Sequence, residues 1–144
     1  MGTEINETVL SEYGFKPAEV VLKSFGTGHI NSTFLLTQNN TGEQFILQSI
    51  NINVFKKPDV IAQNVKLVAD FLAEHYPEYL FVKAIPTIKG EEMAVVEGVY
   101  WRLTNFISNS ISFDTLSDPR QAYEAALQFG RLNKLLSAFD ASQL

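Results

Sequence analysis

Residues 19–50 read EVVLKSFGTGHINSTFLLTQNNTGEQFILQSI. Three apolar runs, at 19–24, 30–37 and 43–50, are separated by Phe25-Gly26-Thr27-Gly28-His29 and by Asn39-Asn40-Thr41-Gly42. Clusters of Gly, Asn and Thr of that length turn a chain back on itself. The spacing therefore predicts three strands in an antiparallel meander. The first connection is the stretch most suited to touching a ligand. Gly26 and Gly28 allow positive φ and close backbone approach, and exposed N–H groups in such a loop can take phosphate oxygens. An ordinary hairpin turn is the alternative reading of the same residues.

Upstream, Asn6 can cap a short helix reaching about Tyr13, with Gly14 as its stop. Downstream, residues 51–57 form an Asn-rich connector, and Pro58 suits the first turn of a helix running to about residue 74 or 75. Ile61, Val65, Val68 and Leu72 give that helix one apolar face, which is expected to pack on the strands. Further strands are expected at 81–87, interrupted or ended by Pro86, at 92–96 and at 99–107, with turns at Lys89-Gly90-Glu91 and Glu97-Gly98. Asp118 followed by Pro119 opens a last helix, with Ala122, Ala126, Phe129, Leu132 and Leu136 as its stripe. Runs of antiparallel strands with helices beside them indicate an α+β fold.

A chain of 144 residues, 46% apolar and 19% charged, suits one globular domain with a real core. The net charge of −5 argues against broad binding to nucleic acid or anionic membranes. There is no cysteine, which removes disulfides, thiolate catalysis and cysteine-based zinc sites. His29 and His75 are the two histidines, so a multi-histidine metal site within one chain is not expected. No signal-peptide pattern or membrane-spanning stretch is visible, and a soluble, cytoplasmic protein is expected.

Four segments together carry a family resemblance: Gly-Thr-Gly-His-Ile-Asn-Ser-Thr-Phe at 26–34, the stretch from Phe45 to Pro58, Tyr-Trp-Arg-Leu-Thr-Asn-Phe-Ile at 100–107, and residues 122–132. In their order and spacing they resemble the N-terminal lobe of small-molecule kinases of the aminoglycoside phosphotransferase and choline kinase type. The match is closest to the N-acetylhexosamine kinase branch, whose members are sometimes labelled mucin desulfatases. The resemblance implies a protein-kinase-like lobe with a five- to six-stranded antiparallel sheet and a packed helix over residues 1–108. Residues 109–144 would be a linker and the first helix of a C-lobe. It further implies that Gly26, Thr27, Gly28, His29 and Asn31 lie in the phosphate-covering loop. Gln48 would stand at the position of the strand-three lysine, with Gln63 or Asn64 near it. Asn105, Phe106 and Ile107 would form the hinge that meets adenine. Plain alternatives are an exposed edge-strand residue for Gln48 and an ordinary strand end for the hinge.

The sequence also departs from that family. Gln48 brings hydrogen bonds but no charge, and residues 58–73 hold no glutamate to pair with it. Neither a His-Gly-Asp motif nor an Asp-x-Asp motif occurs, and phosphoryl transfer needs both the catalytic Asp and the metal-binding Asp. The resemblance thus implies a nucleotide-binding portion of a sugar kinase, inactive alone. ATP with Mg²⁺ would serve the full-length parent, and this chain would bind neither tightly. A homodimer is expected through apolar surface that the C-lobe would otherwise cover, at Phe106, Ile107, Phe129, Leu132 and Leu136. The alternative is a non-catalytic α+β module that dimerises or binds a partner.

Overall fold

The computed structural model describes residues 7–144. The chain divides into two compact units. The first holds the described residues up to 66 together with 82–106, and the second holds 67–81 with 107–144.

The first unit is a six-stranded antiparallel sheet. β1 is Val20–Ser24, β2 Ser32–Gln38, β3 Gln44–Ile50, β4 Ala84–Ile85, β5 Ala94–Val96 and β6 Val99–Asn105. The order across the sheet is β1-β2-β3-β6-β4, with β5 also paired to β6. The meander read from residues 19–50 is present. Val20 faces Gln38 and Ser24 faces Phe34, while Ser32 faces Ser49 and Thr37 faces Gln44. Gly42, with φ +72°, closes the second turn, and its N–H donates to the Gln38 carbonyl.

Alternation along the strands divides the sheet into two faces. Leu36, Leu47, Leu103, Phe45 and Trp101 point to one side and are buried. There they join Val9 and Leu10 of α1, Glu7–Glu12, together with Ala94 and Val96 of β5. Gly14, with φ +77°, ends that helix as expected, and the Phe15 N–H returns to the Leu10 carbonyl. The Asn6 cap lies outside the described residues. Tyr13 is built into the same layer, its hydroxyl donating to the Trp101 carbonyl at 2.7 Å and accepting the Ala94 N–H at 3.3 Å. The opposite face carries Thr33, Leu35, Ile46, Gln48, Arg102 and Thr104, all half-buried.

Two expectations about this unit need correction. The strand expected over 81–87 is paired only at Ala84–Ile85: Pro86, with no N–H for a ladder and a fixed φ, ends it as expected, but residues 81–83 are not strand. The helix from Pro58 is present as α2, Pro58–His75, but its four-residue stripe does not belong to one unit. The helical cover of the buried cluster in the first unit is α1. Ile61 remains 38% exposed. The stripe is divided, since Val68 and Leu72 belong to the second unit.

Within the second unit, Phe71 stands edge-on to Phe139, with ring centroids 5.3 Å apart, and stacks on His75 at 4.4 Å. The Arg131 guanidinium lies over the Tyr79 ring at 5.5 Å. α3, Pro119–Leu135, starts as read from the sequence: the Asp118 side chain accepts the Arg120 N–H. Its apolar stripe is poorly covered. Phe129 is 73% exposed, and Leu132 and Leu136 are half-buried.

Candidate functional site

Between β1 and β2 the chain makes an open loop, and residues 24–34, Thr27 aside, line a depression of about 370 Å³. Of its two glycines only Gly26 takes positive φ, at +77°. Gly28 keeps an ordinary backbone conformation, and a Cβ placed on it would meet open space. The freedom expected at both glycines is therefore required at one. Thr27 and His29 are exposed.

The loop is anchored at both ends. The Phe25 N–H donates to the Thr33 carbonyl at 2.9 Å. Asn31 is half-buried, and its side-chain oxygen accepts the Asn51 N–H at 2.9 Å. That bond ties the loop to the end of β3. It also explains why β2 begins at Ser32 rather than Ile30: Asn31 is turned toward Asn51 and is spent on shape.

Gln48 sits on β3, which has neighbours on both sides, so it is not an edge-strand residue. Its amide nitrogen donates to the Thr33 hydroxyl at 2.8 Å. Its amide oxygen accepts two bonds from Arg102, from Nε at 3.1 Å and from a terminal nitrogen at 2.7 Å. The expected contact of Gln48 with Gln63 or Asn64 is replaced by this pair. The register accounts for it, because Thr33, Gln48 and Arg102 occupy one row across β2, β3 and β6.

Arg102 is the functional candidate that sequence reasoning missed. It is half-buried, and burial pushes its guanidinium below the usual arginine range. It stays charged, since arginine is not deprotonated in proteins. Among the described residues it has no carboxylate partner, and its only hydrogen bonds are those to Gln48. Arg102 also lines a cleft of about 110 Å³ with Asn31, Ile50, Phe55, Ile61 and Met93. The available signal was the phase of Tyr-Trp-Arg-Leu-Thr: alternation puts Arg102 and Thr104 opposite the buried Trp101 and Leu103. Which residue they would meet depends on strand pairing.

At the far end of β6, Asn105 is exposed and pairs in register with Phe45. The Phe106 N–H donates to the Gln44 carbonyl at 3.2 Å. The Phe106 ring stands edge-on to Phe25, with centroids 5.7 Å apart. The start of the loop and the end of β6 thus meet through two aromatic rings. Ile107 is the first residue of the second unit after β6.

The first unit therefore offers an exposed glycine-turned loop, a half-buried cation held by an amide, and an aromatic pair. Such a set can bind an anion beside a flat apolar group. Among the described residues no group of three or more His, Asp or Glu side chains converges as a metal site. No helix there is long and apolar enough to cross a membrane. No protein-family model matches the chain.

Proposed function

We propose that this chain is the nucleotide-binding half of an ATP-dependent sugar kinase of the N-acetylhexosamine type, and that it does not transfer phosphate by itself. The observation that carries the proposal is the half-buried polar row on the sheet face opposite the core. Thr33, Gln48 and Arg102 lie there side by side across β2, β3 and β6. The Phe25–Phe106 pair joins the start of the loop to the end of β6. The strand order also supports it, because it makes neighbours of the strand after the loop, the Gln48 strand and the strand leading to Asn105.

Backbone N–H groups of residues 26–31 would take phosphate oxygens, and the Phe25 and Phe106 rings would meet the base. The Phe106 N–H is already given to Gln44, so base recognition would rest on ring contact more than on that donor. ATP supplies the phosphoryl group, and Mg²⁺ neutralises charge on the phosphates. The motifs that would hold Mg²⁺ and act on the acceptor hydroxyl are absent from the sequence. The proposal assigns them to a second lobe.

The test is a titration of the ¹⁵N-labelled chain with ATP, beside a coupled ADP-release assay with Mg²⁺ and N-acetylglucosamine or N-acetylgalactosamine. Millimolar binding that moves the amides of Gly26–Asn31 and Asn105–Phe106, with no turnover, is the expected result. No movement at 10 mM ATP (about −2.7 kcal/mol of binding on the usual scale) refutes nucleotide binding. Turnover lost in His29→Ala and Asn31→Ala variants refutes the inactive-half reading.

The bare stripe of α3 supports a companion proposal, pairing of two copies, because exposed apolar faces of that kind usually find cover. Sedimentation that shows only monomer at tens of micromolar, roughly the mid-range of protein affinities, would count against it.

A further inference from the structure

Resting on the nucleotide reading, we infer that Arg102 supplies the positive charge of the phosphate site and that Gln48 acts as its positioning residue, so that the ligand class is an oligophosphate anion. A guanidinium carries five N–H donors in a rigid fork. Two are spent on the single Gln48 oxygen. The remaining three have no acceptor among the described residues. Half-buried cations are ordinarily paired with an acid, and among the described residues the partner here is a neutral amide. Gln48 is itself held from the other side by the Thr33 hydroxyl, so the fork is fixed by a chain of bonds from β2 through β3 to β6. An arginine held that way keeps its full charge for an incoming anion and loses little freedom on binding it. A carboxylate at position 48 would hold the same fork but cancel its charge.

Arg102, Arg120 and Arg131 are the arginines of the chain, so their side-chain Nε–H signals can be followed separately by NMR. The Arg102 signal is assigned by its loss in Arg102→Lys. The full chain is titrated with inorganic tripolyphosphate, ATP and adenosine. Tripolyphosphate and ATP should move the Arg102 Nε–H signal, and adenosine should leave it in place. Gln48→Glu keeps size and shape, and the Thr33 hydroxyl can turn to donate to the new carboxylate. This variant should weaken tripolyphosphate binding about tenfold, the equivalent of roughly one charge-assisted bond. Arg102→Gln should do the same, with Arg102→Lys between the two.

ATP that moves the loop amides while the Arg102 signal stays still overturns the inference and leaves the nucleotide reading standing. So does a Gln48→Glu chain that binds tripolyphosphate as tightly as the parent. Tripolyphosphate that moves Arg102, with no response to ATP or adenosine at Asn105 and Phe106, upholds the anion site and removes the adenine part of the reading. No response of Arg102 to any of the three probes overturns the inference.

Discussion

Replacing Tyr13 with phenylalanine should make the sheet unit less stable at neutral pH and more stable in strong alkali. The hydroxyl it removes makes a short bond to the Trp101 carbonyl and a longer one from the Ala94 N–H. Trp101 and Ala94 are both buried, so water does not readily replace the lost partner. The cost is about 1.5 kcal/mol, one good bond plus part of the penalty for a less satisfied buried group. Burial also raises the Tyr13 pKa from 10.0 to about 12. The folded state then keeps the phenolic proton when the unfolded chain has lost it. That proton difference makes stability fall as pH rises between the two values. At 1.36 kcal/mol per unit, a shift from 10.0 to about 12 removes roughly 2.7 kcal/mol over that window. The Tyr13→Phe chain has no such loss. The two stability curves should therefore cross near pH 11, about 1.5/1.36 units above the unfolded value. Trp101 is the only tryptophan and is buried in this layer, so urea unfolding followed by its fluorescence reads the right unit. Subtracting the two curves cancels every other group that titrates in the same range. A difference that stays constant from pH 8 to pH 12 would refute the burial of this hydroxyl as the cause of its shift.

The two loop glycines should separate cleanly. Gly26→Ala places a side chain at φ +77° with no crowding, so it should cost about 1 kcal/mol of backbone strain in a urea midpoint. Gly28→Ala has ordinary φ and open space, so its stability should stay within about 0.5 kcal/mol of the parent, while ATP-induced shifts in the loop shrink. Asn31→Ala removes the acceptor of the Asn51 N–H and should cost about 1–2 kcal/mol. Asn31→Asp keeps that acceptor and should recover most of the loss; equal loss in both would show that the bond is not the reason. Glu97 and Gly98, at φ +52° and +78°, form the two-residue turn between Val96 and Val99. Glu97→Asn should therefore stabilise by roughly 0.5–1 kcal/mol, and a lower melting temperature would contradict that account of the turn.

Local chemistry was readable from the residues because it depends on near neighbours. The meander over residues 19–50, the stop at Gly14, the Asp118 cap and the tight turn at Glu97-Gly98 all rest on side chains within a few positions of the effect. Strand lengths were less legible. The end of β4 at Pro86 was legible, but its start was not: residues 81–83 are apolar enough for a strand, yet pairing begins only at Ala84. Tertiary structure alone decided which helix covers the core. α1 is only six residues long, yet its Val9 and Leu10 fill the buried layer.

The same division runs through the site. The loop and Gln48 stand out in the sequence as glycines and an amide in an apolar run. Arg102 does not, because its importance comes from a partner 54 positions away. The period of two assigned Arg102 to the face opposite Trp101, and the pairing of β3 with β6 set it beside Gln48 rather than an acid. Register is a property of two strands at once, fixed by how both bury their apolar sides, and neither strand alone carries it.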